Sequence, residues 1–201
     1  MDDLSKYFVH RCMHRWQFLW AFHKVHHSAE TMTPITVYRV HPVESILYGL
    51  RGSVVLGAVI GLFAYCFGIN NFSLATLLGV NLFSFIFNVA GANLRHSHIE
   101  IAYWPWLEKI LISPAQHQLH HSIENKHFNK NYGAMLALWD WLFGSLHFSE
   151  TGKKIRFGLR PNEASATNII LIYLKPFIEV SNIFKSTYKK LLSLIGLNPL
   201  R

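Results

Sequence analysis

The chain has 201 residues, 51% of them apolar and 15% charged, with 12 Gly, 7 Pro and 2 Cys. This excludes a disordered chain, a collagen-like or Gly/Pro-rich chain, and a disulfide or cysteine-zinc scaffold. The net charge is +8, yet Gly52 to Leu94 contains no Asp, Glu, Lys or Arg. A charge-free apolar block of that length argues against a nucleic-acid binder. It favours a membrane protein whose basic flanks share one side of the bilayer.

In chain order, Met1-Asp2-Asp3 is acidic, and no secretory apolar region follows it. His10 and His14 form H-x-x-x-H, and His23, His26 and His27 form H-x-x-H-H. From His10 to His23 the helical phase advances by roughly 220°, so one straight helix cannot face both boxes to one point. The chain is expected to bend between Arg15 and Phe22. His41 precedes Pro42 and reads as a turn or supporting residue.

A spanning helix needs about 20 apolar residues. Two such runs are present, about Ile46 to Ile69, interrupted only by Arg51, and about Phe72 to Ala92. Gly68-Ile69-Asn70-Asn71 reads as the turn between them. Asn81 and Asn88 read as helix–helix hydrogen-bond partners. The expected element is a transmembrane hairpin over about 46–92 that returns the chain to the side it left. Lys and Arg on both flanks put that side in the cytoplasm.

Ile101 to Ile112 and Ala134 to Phe148 are apolar, Trp-rich and too short to span. They read as helices lying in the interface. Between them, Ser113-Pro114-Ala115-Gln116 has an N-cap Ser, Pro at the first helical position and Gln at the capping-box position. A helix is therefore expected to carry His117, His120 and His121. Asn168 to Leu197, with Pro176 breaking it, reads as a membrane-surface amphipathic tail or a solvated helix end.

The chain holds 13 histidines. Residues i, i+3 and i+4 share a helix face, so each H-x-x-H-H box is expected to offer three imidazoles to one point. Neutral imidazole ligates iron, zinc or copper. Nine or ten convergent imidazoles suit two metals better than one. His96, just past the second run, adds to the set. His98 reads as a ligand or a hydrogen-bonding neighbour. His127 reads as a surface or supporting group in a polar loop, and His147 as structural. All-imidazole ligation at a membrane surface points to oxygen chemistry on a hydrophobic substrate, because zinc does no redox chemistry.

Several stretches carry a resemblance. Tyr7-Phe8-Val9-His10-Arg11-Cys12-Met13-His14-Arg15 and Leu19-Trp20-Ala21-Phe22-His23-Lys24-Val25-His26-His27-Ser28 form the first two. Arg39-Val40-His41-Pro42-Val43-Glu44 and Ser113-Pro114-Ala115-Gln116-His117-Gln118-Leu119-His120-His121-Ser122 come next, then Asn131-Tyr132-Gly133 and Trp139-Asp140-Trp141-Leu142-Phe143-Gly144. Over about residues 3 to 148 these motifs resemble the fatty acid hydroxylase/sterol desaturase superfamily.

That resemblance implies an all-α, integral-membrane helical bundle with a histidine-rich metal site on the cytoplasmic face. It implies a non-haem di-iron oxygenase that hydroxylates or desaturates a lipid, sterol-like or carotenoid-like substrate. By position, His10, His14, His23, His26, His27, His96, His117, His120 and His121 fall on the family's ligand pattern for two iron ions, which zinc is able to replace. His98 stands where many members carry Asn. Members usually have transmembrane helices ahead of the first box, whereas here that box begins ten residues in. The expected organisation is a catalytic domain over 1–148 and a C-terminal membrane-surface tail over 149–201. No His-Pro-Gly-Gly haem motif or Cys-rich cluster is present, so electrons are expected from a separate donor protein. A catalytically inactive metal-binding remnant or scaffold of the same family is the competing reading. A metal transporter is disfavoured, because beyond Arg51 the hairpin carries no charged group.

Overall fold

The fold was read from a computed structural model, which describes residues 1–68, 82, 85–86, 88–160, 163 and 168–195. The described residues are helical: α1 (Asp2–Arg15), α2 (Gln17–His27), α3 (Pro42–Phe67), α4 (Asn93–Arg95), α5 (Pro114–His120), α6 (Leu138–Leu142) and α7 (Ile169–Leu194). Among them β-structure is limited to two isolated bridges, Leu111 with Leu136 and Ser122 with Phe157. The expected all-α class is observed.

Asp2 and Asp3 lie in the first turn of α1, and His14 and Arg15 in its last. Both ends thus complement the helix dipole. Trp16 then adopts an extended conformation, φ −102° and ψ 117°. That single residue is the expected bend, and it folds α2 back against α1. On its other side α2 packs against α7, and α1 also packs against α3. Enclosed by these neighbours, α2 buries Ala21, Phe22, His23, Val25, His26 and His27.

His41 caps α3: its Nδ1 accepts from the Val43 N–H, and Pro42 takes the first helical position. Its other nitrogen, Nε2, donates to the Tyr173 carbonyl of α7 at 3.0 Å. The cap therefore ties α3 to α7, which is the supporting role expected of it. At 26 residues α3 extends about 39 Å. Among the described residues it is the one helix long and apolar enough to cross a membrane. Val54, Leu62, Tyr65 and Phe67 on it are exposed, whereas Glu44 in its first turn is buried. Arg51, the one charge in this run, is ion-paired at 2.6 Å with Asp2 and also donates to the Ser5 hydroxyl. The first expected span therefore corresponds to α3. The second span, its turn beyond Gly68, Asn81 and hence the hairpin lie outside the described residues, apart from Leu82, Phe85, Ile86 and a π-turn over Asn88–Ala92.

The structure corrects three expectations. Ile101 to Ile112 is not a helix but largely irregular, with one short turn, Leu107–Lys109. Its buried Glu108 carboxylate accepts from the Ser113 hydroxyl and from the Ser149 N–H, so the segment is held by loop contacts. Ala134 to Phe148 keeps only α6, because the Asp140 carboxylate turns inward to bond the chain on either side of it. Pro176 lies inside the continuous helix α7 and does not end it. Proline disturbs the carbonyls of the preceding turn, and one of them, that of Tyr173, is the acceptor for His41.

The buried apolar set is short and centres on Tyr7, Met13, Met32, Leu119 and Tyr132. The interior between α1, α2 and α5 is filled largely by imidazoles.

Candidate metal centre

Nine histidines converge in two sets. His10, His14, His23, His27 and His120 form the first, and His26, His96, His117 and His121 the second. Within each set the candidate ligand atoms lie within 4.8 Å of one another. These nine are the histidines expected as ligands. His98 is exposed and belongs to neither set.

The helices divide their boxes between the sets. His23 and His27, one turn apart on α2, enter the first set, and His26 enters the second. On α5 and its C-cap His121 the pattern reverses: His117 and His121 enter the second set, and His120 the first. A box was expected to aim three imidazoles at one point. It does not, because adjacent residues diverge by about 100° around a helix. The i,i+4 pair shares one target and the remaining histidine faces its neighbour. The His27 and His121 rings stack 4.3 Å apart where the sets meet.

The capping box at Ser113 is formed as expected. The Ser113 hydroxyl accepts from the Gln116 N–H, and the Gln116 side chain accepts from the Ser113 N–H. This fixes the start of α5, and hence the phase of His117, His120 and His121.

A second layer of acceptors orients the rings. Nδ1 of His10 donates to the Tyr132 carbonyl at 2.7 Å, that of His120 to the Lys130 carbonyl at 2.8 Å, and that of His96 to the Ala92 carbonyl at 2.8 Å. Nδ1 of His26 donates to the Arg39 carbonyl at 3.3 Å, and that of His23 to the Glu44 carboxylate at 2.9 Å. The Asp140 carboxylate accepts from the Tyr132 and Gly133 N–H groups at 2.8 and 2.7 Å, holding the loop that supports His10. Sequence reasoning missed Glu44, Asp140 and the carbonyls. Both carboxylates stand in the motifs quoted above, and Glu44 is also a carboxylate in the first turn of the apolar helix α3.

These partners fix the tautomers. A neutral imidazole carries one N–H, and a carbonyl only accepts. In His10, His26, His96 and His120 the hydrogen is therefore on Nδ1, and Nε2 presents a bare lone pair. Yet Nε2 of His26 lies 3.1 Å from Nε2 of His96. Two lone pairs cannot hydrogen-bond. Nε2 of His27 and of His120 are likewise buried without a hydrogen-bond partner. A cation within each set would give these nitrogens a common partner.

The electrostatics agree with that reading. Burial, reinforced by neighbouring imidazoles, holds His10, His14, His26, His27, His117 and His121 well below the usual imidazole value. Burial also pushes His96 down to about 4 and His120 down to about 3. Neutral imidazole is the form that binds metal.

An open pocket lined by His14, Trp20, His27, His120, Asn129 and Arg160 reaches the first set. The Trp20 indole N–H donates to Glu163 at its edge.

Two interleaved imidazole sets on an all-α frame define a histidine-box protein. The chain belongs to the fatty acid hydroxylase family, whose profile matches residues 1–145. It is 28% identical over 148 residues to the ornithine lipid hydroxylase OlsE of Rhizobium tropici, covering 72% of this chain and 39% of that protein. It is 30% identical over 159 residues to the alkylglycerol monooxygenase of Danio rerio, covering 78% of this chain and 31% of that one. The alkylglycerol monooxygenase of Homo sapiens is 29% identical over 157 residues, again 78% of this chain and 31% of that protein. The chain thus spans between about a third and two-fifths of these relatives. No solved structure matches it.

Proposed function

We propose that the chain forms the catalytic portion of a membrane-bound non-haem di-iron oxidoreductase that uses dioxygen to hydroxylate or desaturate a lipid or sterol-like substrate. One observation carries the reading: nine imidazoles converge in two adjacent sets of five and four, with unpartnered Nε2 atoms buried among them. Iron would be held by His10, His14, His23, His27 and His120 on one side and by His26, His96, His117 and His121 on the other. Two iron ions held this way supply dioxygen reduction and the power to take hydrogen from an unactivated C–H bond. Zinc fits the same nitrogens but has no redox chemistry.

This chain's own residues then perform three tasks. Glu44 and the carbonyls of Arg39, Ala92, Lys130 and Tyr132 hold five of the imidazoles in their binding tautomer. Eight of the nine histidines are at most 8% exposed, which confines bulk water to the pocket beside His14. The apolar surface of α3 supports a centre at a bilayer, with a hydrophobic substrate entering from the lipid. The basic flanks favour a centre on the cytoplasmic face, with electrons donated by a separate protein and the tail over 149–201 along the membrane surface. Relatives that act on ornithine lipid and alkylglycerol support a lipid substrate.

Metal content tests the reading. The protein is purified anaerobically with iron supplied, then measured by elemental analysis and Mössbauer spectroscopy. About two irons per chain with coupled signals, and oxygen uptake that depends on added lipid, are expected. A folded sample that takes up no metal would refute the proposal. Coupled iron without oxygen uptake on any lipid would point to the inactive remnant.

A further inference from the structure

A third cluster stands apart from the nine histidines. His127, in the turn Asn125–His127, faces His147 and Glu150 on the segment after α6. Glu150 Oε1 lies 3.1 Å from Nε2 of His147 and 3.6 Å from Nε2 of His127. The His127 and His147 rings are 5.3 Å apart. We propose that His127, His147 and Glu150 form a separate, mononuclear site for a divalent transition-metal ion of the zinc class.

Three observations point the same way. First, His127 is 2% exposed, and both its ring nitrogens are buried without a hydrogen-bond partner. Folded proteins rarely leave an imidazole in that state. The 3.6 Å approach to Glu150 is too long for a hydrogen bond. Second, bonds of about 2.0–2.1 Å in a tetrahedral site put ligand atoms roughly 3.3–3.4 Å apart. The two observed edges bracket that value. Third, two imidazoles and one carboxylate are a donor set that zinc and ferrous iron both accept, with the fourth position left to solvent. His147 and Glu150 are half-buried, so water reaches that position.

The other charges nearby are named groups. Glu150 Oε2 is paired with Lys126 at 2.5 Å and with Lys153 at 2.9 Å, and Lys126 also approaches Glu124 at 3.7 Å. The lysines keep the carboxylate ionised and leave Oε1 to face the imidazoles. Their positive charge opposes a cation, but both are largely exposed and screened by solvent. The site is therefore weaker than the nine-histidine centre.

The site also has a structural consequence. The His147 N–H donates to the Asn131 side chain, and the His147 carbonyl accepts from it. An ion at His127 and His147 would clip both flanks of the loop that presents the Lys130 and Tyr132 carbonyls to His120 and His10.

The experiment counts metal on the full chain in detergent. Iron-loaded protein is equilibrated with zinc chloride and desalted, and total metal is measured. The wild type is expected to carry one ion more per chain than His147→Ala and Glu150→Gln. Because the readout is a difference, it holds whatever the occupancy of the nine-histidine centre. Glu150→Gln changes a half-buried side chain without altering its size, so it guards against loss of fold. A Lys126→Met/Lys153→Met variant is expected to bind the additional zinc several-fold more tightly, which a purely salt-bridged role for Glu150 would not produce. Equal metal counts in all these proteins, with zinc affinity unmoved in the lysine variant, would overturn the proposal.

Discussion

His23 donates from Nδ1 to the Glu44 carboxylate at 2.9 Å, and both side chains are at least 95% buried. The carboxylate comes from the first turn of the apolar helix α3 and the imidazole from α2. The apolar helix thereby sets the orientation of a candidate ligand. Outer partners of this kind change metal affinity by about 10–100-fold. Glu44→Ala is expected to lower iron affinity by that order, and Glu44→Gln, which still accepts, by less. Competition with a chelator measures both. Equal affinities in wild type and Glu44→Ala would contradict the role.

His120 stands in the first set although its neighbours on α5, His117 and His121, stand in the second. His120→Ala is expected to abolish turnover and to reduce bound metal. His98→Ala, at an exposed position outside both sets, is expected to leave metal content unchanged. Elemental analysis of the two variants side by side separates a ligand from a bystander.

Much of this was legible in the sequence, because helical spacing is itself geometry. The boxes, a bend between Arg15 and Phe22 and the Ser113 cap follow from the 3.6-residue period and from capping chemistry. How each box divides its ligands depends on where the partner helices lie, which spacing alone leaves open. The supporting carbonyls of Arg39, Ala92, Lys130 and Tyr132 have no residue signature, since every residue has a carbonyl. The segments 101–112 and 134–148 looked helical because apolar, Trp-rich composition does not distinguish a helix from a loop pinned by a buried Glu108 or Asp140. His127 looked solvated between Lys126 and Phe128, and only the tertiary fold buries it.

Gly133 is a point where backbone approach is limiting. A Cβ there would meet the Leu136 carbonyl oxygen at 2.6 Å and Asp140 Oδ2 at 2.9 Å. Gly133→Ala must shift the loop or the buried carboxylate, at a cost of about 1–3 kcal/mol. The Tyr132 carbonyl would move with it, loosening His10. Lower thermal stability together with weaker iron binding is expected. A melting temperature equal to that of the wild type would contradict the close fit.

Acid should unfold the metal-free protein in a defined window. His96 and His120 titrate at about 4 and about 3 in the fold, against 6.5 when unperturbed. Below 6.5 the unfolded chain takes up protons that the folded chain refuses, so stability falls with pH. It is intact above about 6.5 and declines towards pH 3, steeply because the other buried imidazoles act together. Bound metal adds to the fold above that window and is displaced by protons within it. Circular dichroism against pH, with and without iron, tests this. Stability that stays flat from pH 7 to pH 4 would contradict it.

The exchange of ligands between α2 and α5 has one more consequence. Each helix serves both sets, and His27 rests on His121 at their border. An ion that settles in one set stiffens two helices of the other, so the second ion enters a frame whose ordering entropy has already been spent. Half-loaded molecules should therefore be scarce, with most chains carrying both ions or neither.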